Sequence, residues 1–491
     1  MINDNELSVS ILKYLYWLKT WKQGKGIYGG LHVHPCWKVI SIIERKYQGV
    51  TVSEYSGLIR GLLNLYKKTE NELFLKECMD IAEALRNLQD EDGCFEHSAY
   101  ENEPGKGGCI HNALADVALL SLSLVLEDVG GDASPYLETV KKNFKWFEKF
   151  WWKRGNRWVK NPDFPCWCGV TNQDLAVCWA MALYAELKDP KYWEEYGLPV
   201  VEWYVENYYL PEYRSYFRGD APNFLEPAVY NGLIDYELVN IYTYTRDREY
   251  LKVALENLEY LRDNSWRDEY GLVRVHCNLD LSSKRVMKRP SIVTQGTLVA
   301  TLQLLESLRI CRFERFKRDL LETMVFYQSE RGYFRNSTDY QNLFDIVPRL
   351  CSGVFEALTM VWNGRELCAL KERCDLGIDF SGNDVWIDSD NCWELLRGKS
   401  VVSGVKSEPY GIYPVAMVEG IEDVKLRGCT LEFKLRSCSP TSISIDHVLG
   451  EGETVIVETR SKVMVNLKLR DKRRVKVALK RGRNQISYES L

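Results

Sequence analysis

The sequence predicts a mostly α-helical protein: a double-layered ring of six helical hairpins, an (α/α)6 toroid, followed by a small antiparallel β-sandwich. Three observations predict it. Helix pairs recur with a connecting turn at roughly 60-residue intervals. A spare helix stands at the N-terminus, and after about residue 376 the pattern changes to two-residue alternation.

Apolar spacings of three and four place the opening helix at about 5–21. Pairs follow at about 53–67 and 71–89, 111–127 and 134–151, 172–187 and 190–209, 228–245 and 248–264, and 294–309 and 313–328. A last helix covers about 349–363. Turn-centred extended pieces separate the pairs: KGIYGG at 25–30, DGCF at 92–95, RGNRW at 154–158, YRSYF at 213–217, YGLVR at 270–274 and RGYFR at 331–335. In QDEDGCFEH, Asp92–Gly93 reads as a turn despite the acidity around it. One hairpin cannot bury its apolar stripe alone. Six can, in a closed ring, if the opening helix pairs with the last one.

The first helices of the pairs align as YSGLIRGLLNLY, HNALADVALLSL, QDLAVCWAMALY, YNGLIDYELVNI, TQGTLVATLQLL and CSGVFEALTMVW. The column Gly57, Ala113, Leu175, Gly232, Gly296, Gly353 is small in five copies, which suits close packing. Each copy is polar one residue earlier: Ser56, Asn112, Asp174, Asn231, Gln295, Ser352. One turn on stand Arg60, Asp116, Cys178, Asp235, Val299 and Glu356, on the same helix face. Such a face is expected to line a water-filled lumen.

Composition bounds the function. Hydrophobic and charged fractions of 45% and 27% are those of an ordinary globular chain. A net charge of −5 offers no global attraction to nucleic acid. The N-terminal stretch lacks a cleavable leader pattern, and no apolar run is read as a membrane span, so a cytoplasmic protein is expected. Fifteen cysteines, an odd number, then read as free thiols. The 29 tyrosines and 15 tryptophans serve a core and also suit a sugar-stacking cleft.

Six hairpins, Gly-led inner helices and DG-x-F connections resemble the six-hairpin glycosidase-like toroids over about residues 5–365. That group includes glucoamylases, unsaturated glucuronyl hydrolases and N-acylglucosamine 2-epimerases. The resemblance implies a site in the lumen mouth, at the inner-helix N-termini. Lanthionine and terpenoid cyclases share similar rings. Their Cys-His-Gly zinc signature is missing here, since CWCGVTNQ lacks the histidine, and no Asp-rich diphosphate motif stands on an inner helix.

Glycoside hydrolysis requires two carboxyl groups, one protonated and one ionised. Asp174 at an inner-helix start suits the anion, and Glu226, beside Phe224, suits the proton donor. Asp116 fits either role. Each has a plain alternative: a helix cap for Asp174, an ion pair with Arg60 for Asp116, a loop carboxylate for Glu226. Substrate contacts are expected from Tyr55, His111, Asn112, Trp167, Asn172, Gln173, Tyr230, Asn231, Gln295, His32 and His34. HVHPC at 32–36, Cys94-x-x-His97, Cys109-x-His111 and CWC at 166–168 invite zinc, but short common spacings favour ordinary thiols, and no metal or cofactor is expected.

Residues 1–370 are therefore expected to form the toroid and 376–491 the sandwich. Residues 460–483 are basic, either as a solvated face or as a surface for an acidic ligand. The leading functional expectation is a glycoside hydrolase acting on an oligosaccharide or glycoconjugate, with neither nucleic acid nor membrane as partner. The alternatives are a lyase or epimerase of uronic or amino sugars, using His111 and Tyr230, and a glycan-binding ring without turnover.

Overall fold

A computed structural model describes residues 2–20, 22–28, 52–95, 109–149, 151–152, 157–158, 169–218, 221–268, 271–275, 278–283, 285–287, 293–310, 312–328, 334 and 352–364 of the helical part. Beyond these it describes 384–388, 392–397, 400–407, 411–418, 421–427, 430–435, 442–449, 454–459, 462–469 and 473–491.

Six inner helices form the ring: α2 (Glu54–Thr69), α4 (Cys109–Asp128), α6 (Thr171–Leu187), α8 (Ala228–Thr245), α10 (Val293–Ser307) and α12 (Ser352–Val361). Each packs on the next, and α12 returns to α2. Behind them lie α3 (Glu72–Asn87), α5 (Ser134–Lys149), α7 (Leu198–Asn207), α9 (Arg248–Asp263) and α11 (Glu314–Tyr327), with α1 (Asp4–Thr20) behind α12. The opening helix therefore pairs with the last inner helix, as the sequence requires. Tyr14 of α1 stacks on Phe355 with centroids 4.6 Å apart. Asp4 Oδ1 accepts the Asn363 N–H at 2.9 Å, and the Lys68 ammonium of α2 donates to the carbonyls of Thr359 and Met360.

The two layers differ in the way their positions demand. Outer helices α3 and α9 are amphipathic and begin with side-chain caps, Asn71 on the Leu73 N–H and Asp247 on the Glu249 N–H. Inner helices α4, α6, α8 and α10 have neighbours on nearly every side and are apolar almost all round, whereas α2 remains amphipathic. This amends one expectation, because α4 is long and apolar enough by composition to cross a membrane. It does so as an enclosed helix of the ring, with 78% of its apolar window buried.

The small-residue column sets the ring closure. A Cβ on Gly57 would stand 2.7 Å from the Ser352 carbonyl carbon, and one on Gly296 would stand 2.8 Å from the Val354 nitrogen. Backbone thus meets backbone on both sides of α12.

Each connection turns back over its outer helix. β1 (Lys22–Gly24) pairs with β2 (Ile27–Tyr28), β3 (Trp151–Trp152) with β4 (Arg157–Trp158), and β8 (Trp266–Arg267) with β9 (Val273–Arg274). Gln89 bridges to Phe95 around the turn at Asp92–Gly93, as expected. Gly26 and Gly93 have φ of +67° and +99°, and each presses on an outer-helix carbonyl, that of Asp80 or Lys142. Only glycine fits both demands. Of RGYFR only Phe334 is among the described residues. The sequence missed one feature: β5 (Tyr209–Leu210), β6 (Ser215–Arg218), β7 (Ala221–Leu225), β10 (Asn278–Asp280) and β11 (Arg285–Met287) join two successive connections into one five-stranded sheet.

The C-terminal strands form a seven-stranded and a four-stranded sheet. Pairing is mostly antiparallel, with a correction. β17 (Thr430–Leu435) runs parallel to β19 (Thr454–Thr459), and β18 (Ser442–Leu449) runs parallel to β20 (Val463–Leu469). The chain alternates between the sheets over these four strands, so each returns to its own sheet in the original direction. Parallel neighbours follow from such crossovers.

Gly296→Ala should lower stability by about 1–3 kcal/mol through overpacking. Gly353→Ala, whose Cβ would meet only Thr297 Cγ2 at 3.9 Å, should be nearly neutral. Thermal unfolding of the two variants separates these outcomes.

Candidate active site

Four members of the polar column at the inner-helix starts, Asn112, Asp174, Asn231 and Gln295, face the connections between the layers and do not line a lumen. Asn112 Oδ1 accepts the Phe95 N–H at 2.8 Å and the Asn143 amide of α5 at 2.7 Å. Asp174 Oδ2 accepts the Trp158 N–H at 3.1 Å and the Tyr204 hydroxyl of α7 at 2.8 Å. Asn231 donates to the Glu226 carbonyl at 2.8 Å and accepts from the Ser215 hydroxyl at 3.3 Å. Gln295 and Thr323 of α11 both donate to the Val273 carbonyl. Tyr55, one residue off the column, accepts the Tyr28 N–H at 3.1 Å, while the Tyr28 hydroxyl reaches Glu77 of α3. In these repeats a polar side chain holds the preceding connection onto its own hairpin. The cause is backbone accounting: a strand buried between layers leaves amides and carbonyls that need partners. Asp174 is likewise no cap, since Val170 holds that position.

At the centre, Arg60 pairs with Glu356 and not with Asp116. Its Nε and Nη2 meet the two Glu356 oxygens at 2.6 and 2.7 Å, and Nη1 donates to Ser56 at 2.6 Å. The Tyr236 hydroxyl donates to Glu356 at 2.6 Å, and the guanidinium lies 4.7 Å from the Trp179 ring centroid. Residues of α2, α6, α8 and α12 thus meet across the ring, so at this level the lumen is closed by a charged and aromatic cluster. The expected open channel is corrected accordingly.

The remaining acids gather on α4, α6 and α8. Glu237 is fully buried, and neither of its oxygens has a hydrogen-bond partner among the described residues. Burial pushes its carboxyl well above the ordinary range; Arg60 opposes that shift and the charge of Glu226 adds to it. Glu226, also fully buried, sits just before α8, its amide bound to the Tyr216 carbonyl. Asp174 is pushed up to about 7 by burial, against the Tyr204 and Trp158 hydrogen bonds. Burial also raises Asp116 and Asp235 well above the usual carboxylate range, with the Tyr216 hydroxyl opposing it at Asp235. Asp116 has no partner among the described residues. Cys109 and Cys178 lie beside Asp174 and Glu237, and burial drives both thiols well up. Both are free thiols, as is Cys78.

Sequence reasoning missed Glu237. Its signal was available: a lone acid two residues past Asp235, hence on the other face of a helix apolar on all sides. Of the expected contacts, Asn172 and Gln173 are buried at the start of α6, and Tyr230 is half-buried on α8. His111 Nδ1 stands 2.9 Å from the Ser53 hydroxyl. His32, His34 and Trp167 lie outside the described residues, as do Cys36, His97, Cys166 and Cys168 of the zinc reading.

The chain has the architecture of the six-hairpin glycosidase-like toroids. A cellobiose 2-epimerase from Bacillus thermoamylovorans B4167 superposes with a TM-score of 0.56 at 11% identity, covering 73% of this chain and 99% of that one. A family 76 α-mannanase of Bacteroides thetaiotaomicron gives 0.54 at 11%, covering 73% and 95%. An unsaturated glucuronyl hydrolase specific for heparin gives 0.52 at 11%, covering 76% and 100%. No family model and no curated protein matches the sequence.

Arg60→Met leaves Glu356 buried without its counter-charge and should cost about 3–5 kcal/mol. Adding Glu356→Leu should recover much of that loss in urea unfolding. Asp174 supplies a pH signature. Its folded value, about 7, lies above the 3.8 of an ordinary aspartate, so the folded state holds the proton more tightly. Stability from this group is full below pH 3.8 and is lost as pH rises through about 7. Asp174→Asn should flatten that part of the stability–pH curve.

Proposed function

We propose that this chain is a carbohydrate-active enzyme, a glycoside hydrolase acting on an oligosaccharide, with Glu226 and Glu237 as its carboxyl pair. The observation that carries this reading is two buried glutamates within electrostatic reach of each other and of Arg60. Two like charges in a dry site cannot both ionise freely, so one carboxyl keeps its proton. Glu237 then donates a proton to the leaving oxygen, and Glu226 as carboxylate acts across the sugar. Asp174, its second oxygen bound by Trp158 and Tyr204, positions the start of α6, and Asp116 stands in reserve. Solved hydrolases of this fold support the class of substrate.

Residues 1–370 serve in this reading as the catalytic ring of a cytoplasmic enzyme. Residues 376–491 serve as an accessory domain, its two sheets forming a sandwich.

A second reading has its own observation. Ser53 holds one nitrogen of His111 and so orients the ring, the arrangement an imidazole needs to move a proton beside a sugar carbonyl. Epimerization or lyase chemistry would use that imidazole together with Tyr230, and a solved epimerase of the same fold supports this class of reaction.

Turnover of an oligosaccharide panel tests both. Glu226→Gln and Glu237→Gln should each reduce sugar release by roughly 10²–10⁴-fold with unfolding curves intact. Full release by both variants removes the carboxyl pair. Epimer or unsaturated product, lost in His111→Ala, selects the second reading.

A further inference from the structure

Residues 460–483 hold eleven lysines and arginines against one acid, Asp471, within a chain whose net charge is −5. Opposite electrostatics therefore divide the molecule. The basic run follows β20, then β21 (Arg474–Leu479), the turn at 480–481, and the start of β22 (Gly482–Ser487). β21 is the last strand of the seven-stranded sheet and β22 the last of the four-stranded one, so the run straddles an edge of each. Leu467 and Leu479 are buried, whereas Met464, Lys476 and Ala478 are exposed. The register pairs Val463 with Leu479 and Lys468 with Arg474. Lys462 and Lys480 thus flank one end of the strand pair and Lys468 with Arg474 mark the other, about 20 Å away at the rise of a strand. Lys462, Lys476, Lys480 and Arg481 are exposed, and none makes an ion pair among the described residues. Glu458, opposite Arg483 on β19, is the acid nearest in register.

Two features define the ligand. The exposed cations Lys462, Lys476, Lys480 and Arg481 are spread along the strand pair and its turn, which matches a linear polyanion and not a compact phosphate. The stretch 454–483 contains no aromatic residue, so neither nucleobases nor neutral sugar rings have a stacking surface there. Recognition rests on charge alone. A single edge lysine is enough to deter sheet-to-sheet pairing, and a run of this density exceeds that need.

We propose that this edge binds an anionic polysaccharide, carboxylated or sulfated, and holds it to the protein. The choice of a saccharide among polyanions rests on the carbohydrate reading of the ring; the binding itself does not.

The test uses the full chain with heparin, polygalacturonate, neutral dextran and duplex DNA as probes. Heparin or polygalacturonate should bind in a salt-dependent way, and dextran should not. The triple variant Lys476→Glu, Lys480→Glu, Arg481→Glu should weaken that binding by roughly tenfold or more. Lys145→Glu with Lys149→Glu, on the surface of α5, should leave it unchanged. Glu237→Gln should also bind normally, which separates this proposal from the hydrolytic one. Four results overturn it: undiminished binding by the triple variant, equal weakening by the α5 variant, tighter binding of duplex DNA than of either polysaccharide, or aggregation of the triple variant with binding retained in its soluble fraction.

Discussion

Backbone polar groups brought between two helical layers must find partners there, and the rest of the ring is arranged around that requirement. Among the described residues, four connections between hairpins dip behind an inner helix, where water cannot satisfy their amides and carbonyls. Phe95, Trp158, Arg214 and Val273 each meet a side chain from the inner or outer helix of the hairpin that follows. Asn257 of α9 does for Arg214 what Thr323 of α11 does for Val273. These ties explain why one polar residue stands at the head of otherwise apolar helices. They also fix the direction in which each inner helix faces.

Once most of the polar column is turned outward, the opposite face carries the groups on which the proposed chemistry rests. On α8, Asp235 faces the Tyr216 hydroxyl of the connection, while Tyr236 and Glu237 face Glu356 and Arg60 from across the ring. The result is a well-paired cation at the centre and several buried acids on the helices around it whose carboxyls burial pushes well above the ordinary range. The Arg60–Glu356 pair satisfies itself with two short bonds and an aromatic lid. Glu237 has no such bonds among the described residues. A buried carboxyl left without a partner beside another acid is an unstable arrangement to maintain without use, and it is the basis of the catalytic reading.

Electrostatics separate the two ends of the chain in a different manner. The ring buries its charges, where desolvation controls protonation. The last strands display theirs, where screening by salt controls reach. A carboxyl pair and a cationic edge thus pose independent questions about one ligand class, and they respond to different variables, pH and ionic strength.

The sequence by itself determined the hairpin count, the pairing of the first helix with the last and the glycines beside α12, because periodicity and residue size are local properties. Gly57 and Gly296 could be read as close contacts before any contact was known. Strand alternation after residue 376 was legible for the same reason, but the crossing between sheets was not. Of the site, Glu226 was visible as a loop acid. Glu237 was hidden in a helix, and Asp174 was visible but misdirected. Which way a side chain points depends on the rotation of its helix about its own axis. Neighbours on all sides set that rotation. Only the tertiary structure decided that Arg60 reaches Glu356, that Asp174 faces Tyr204, and that Glu226 and Glu237 are both fully buried.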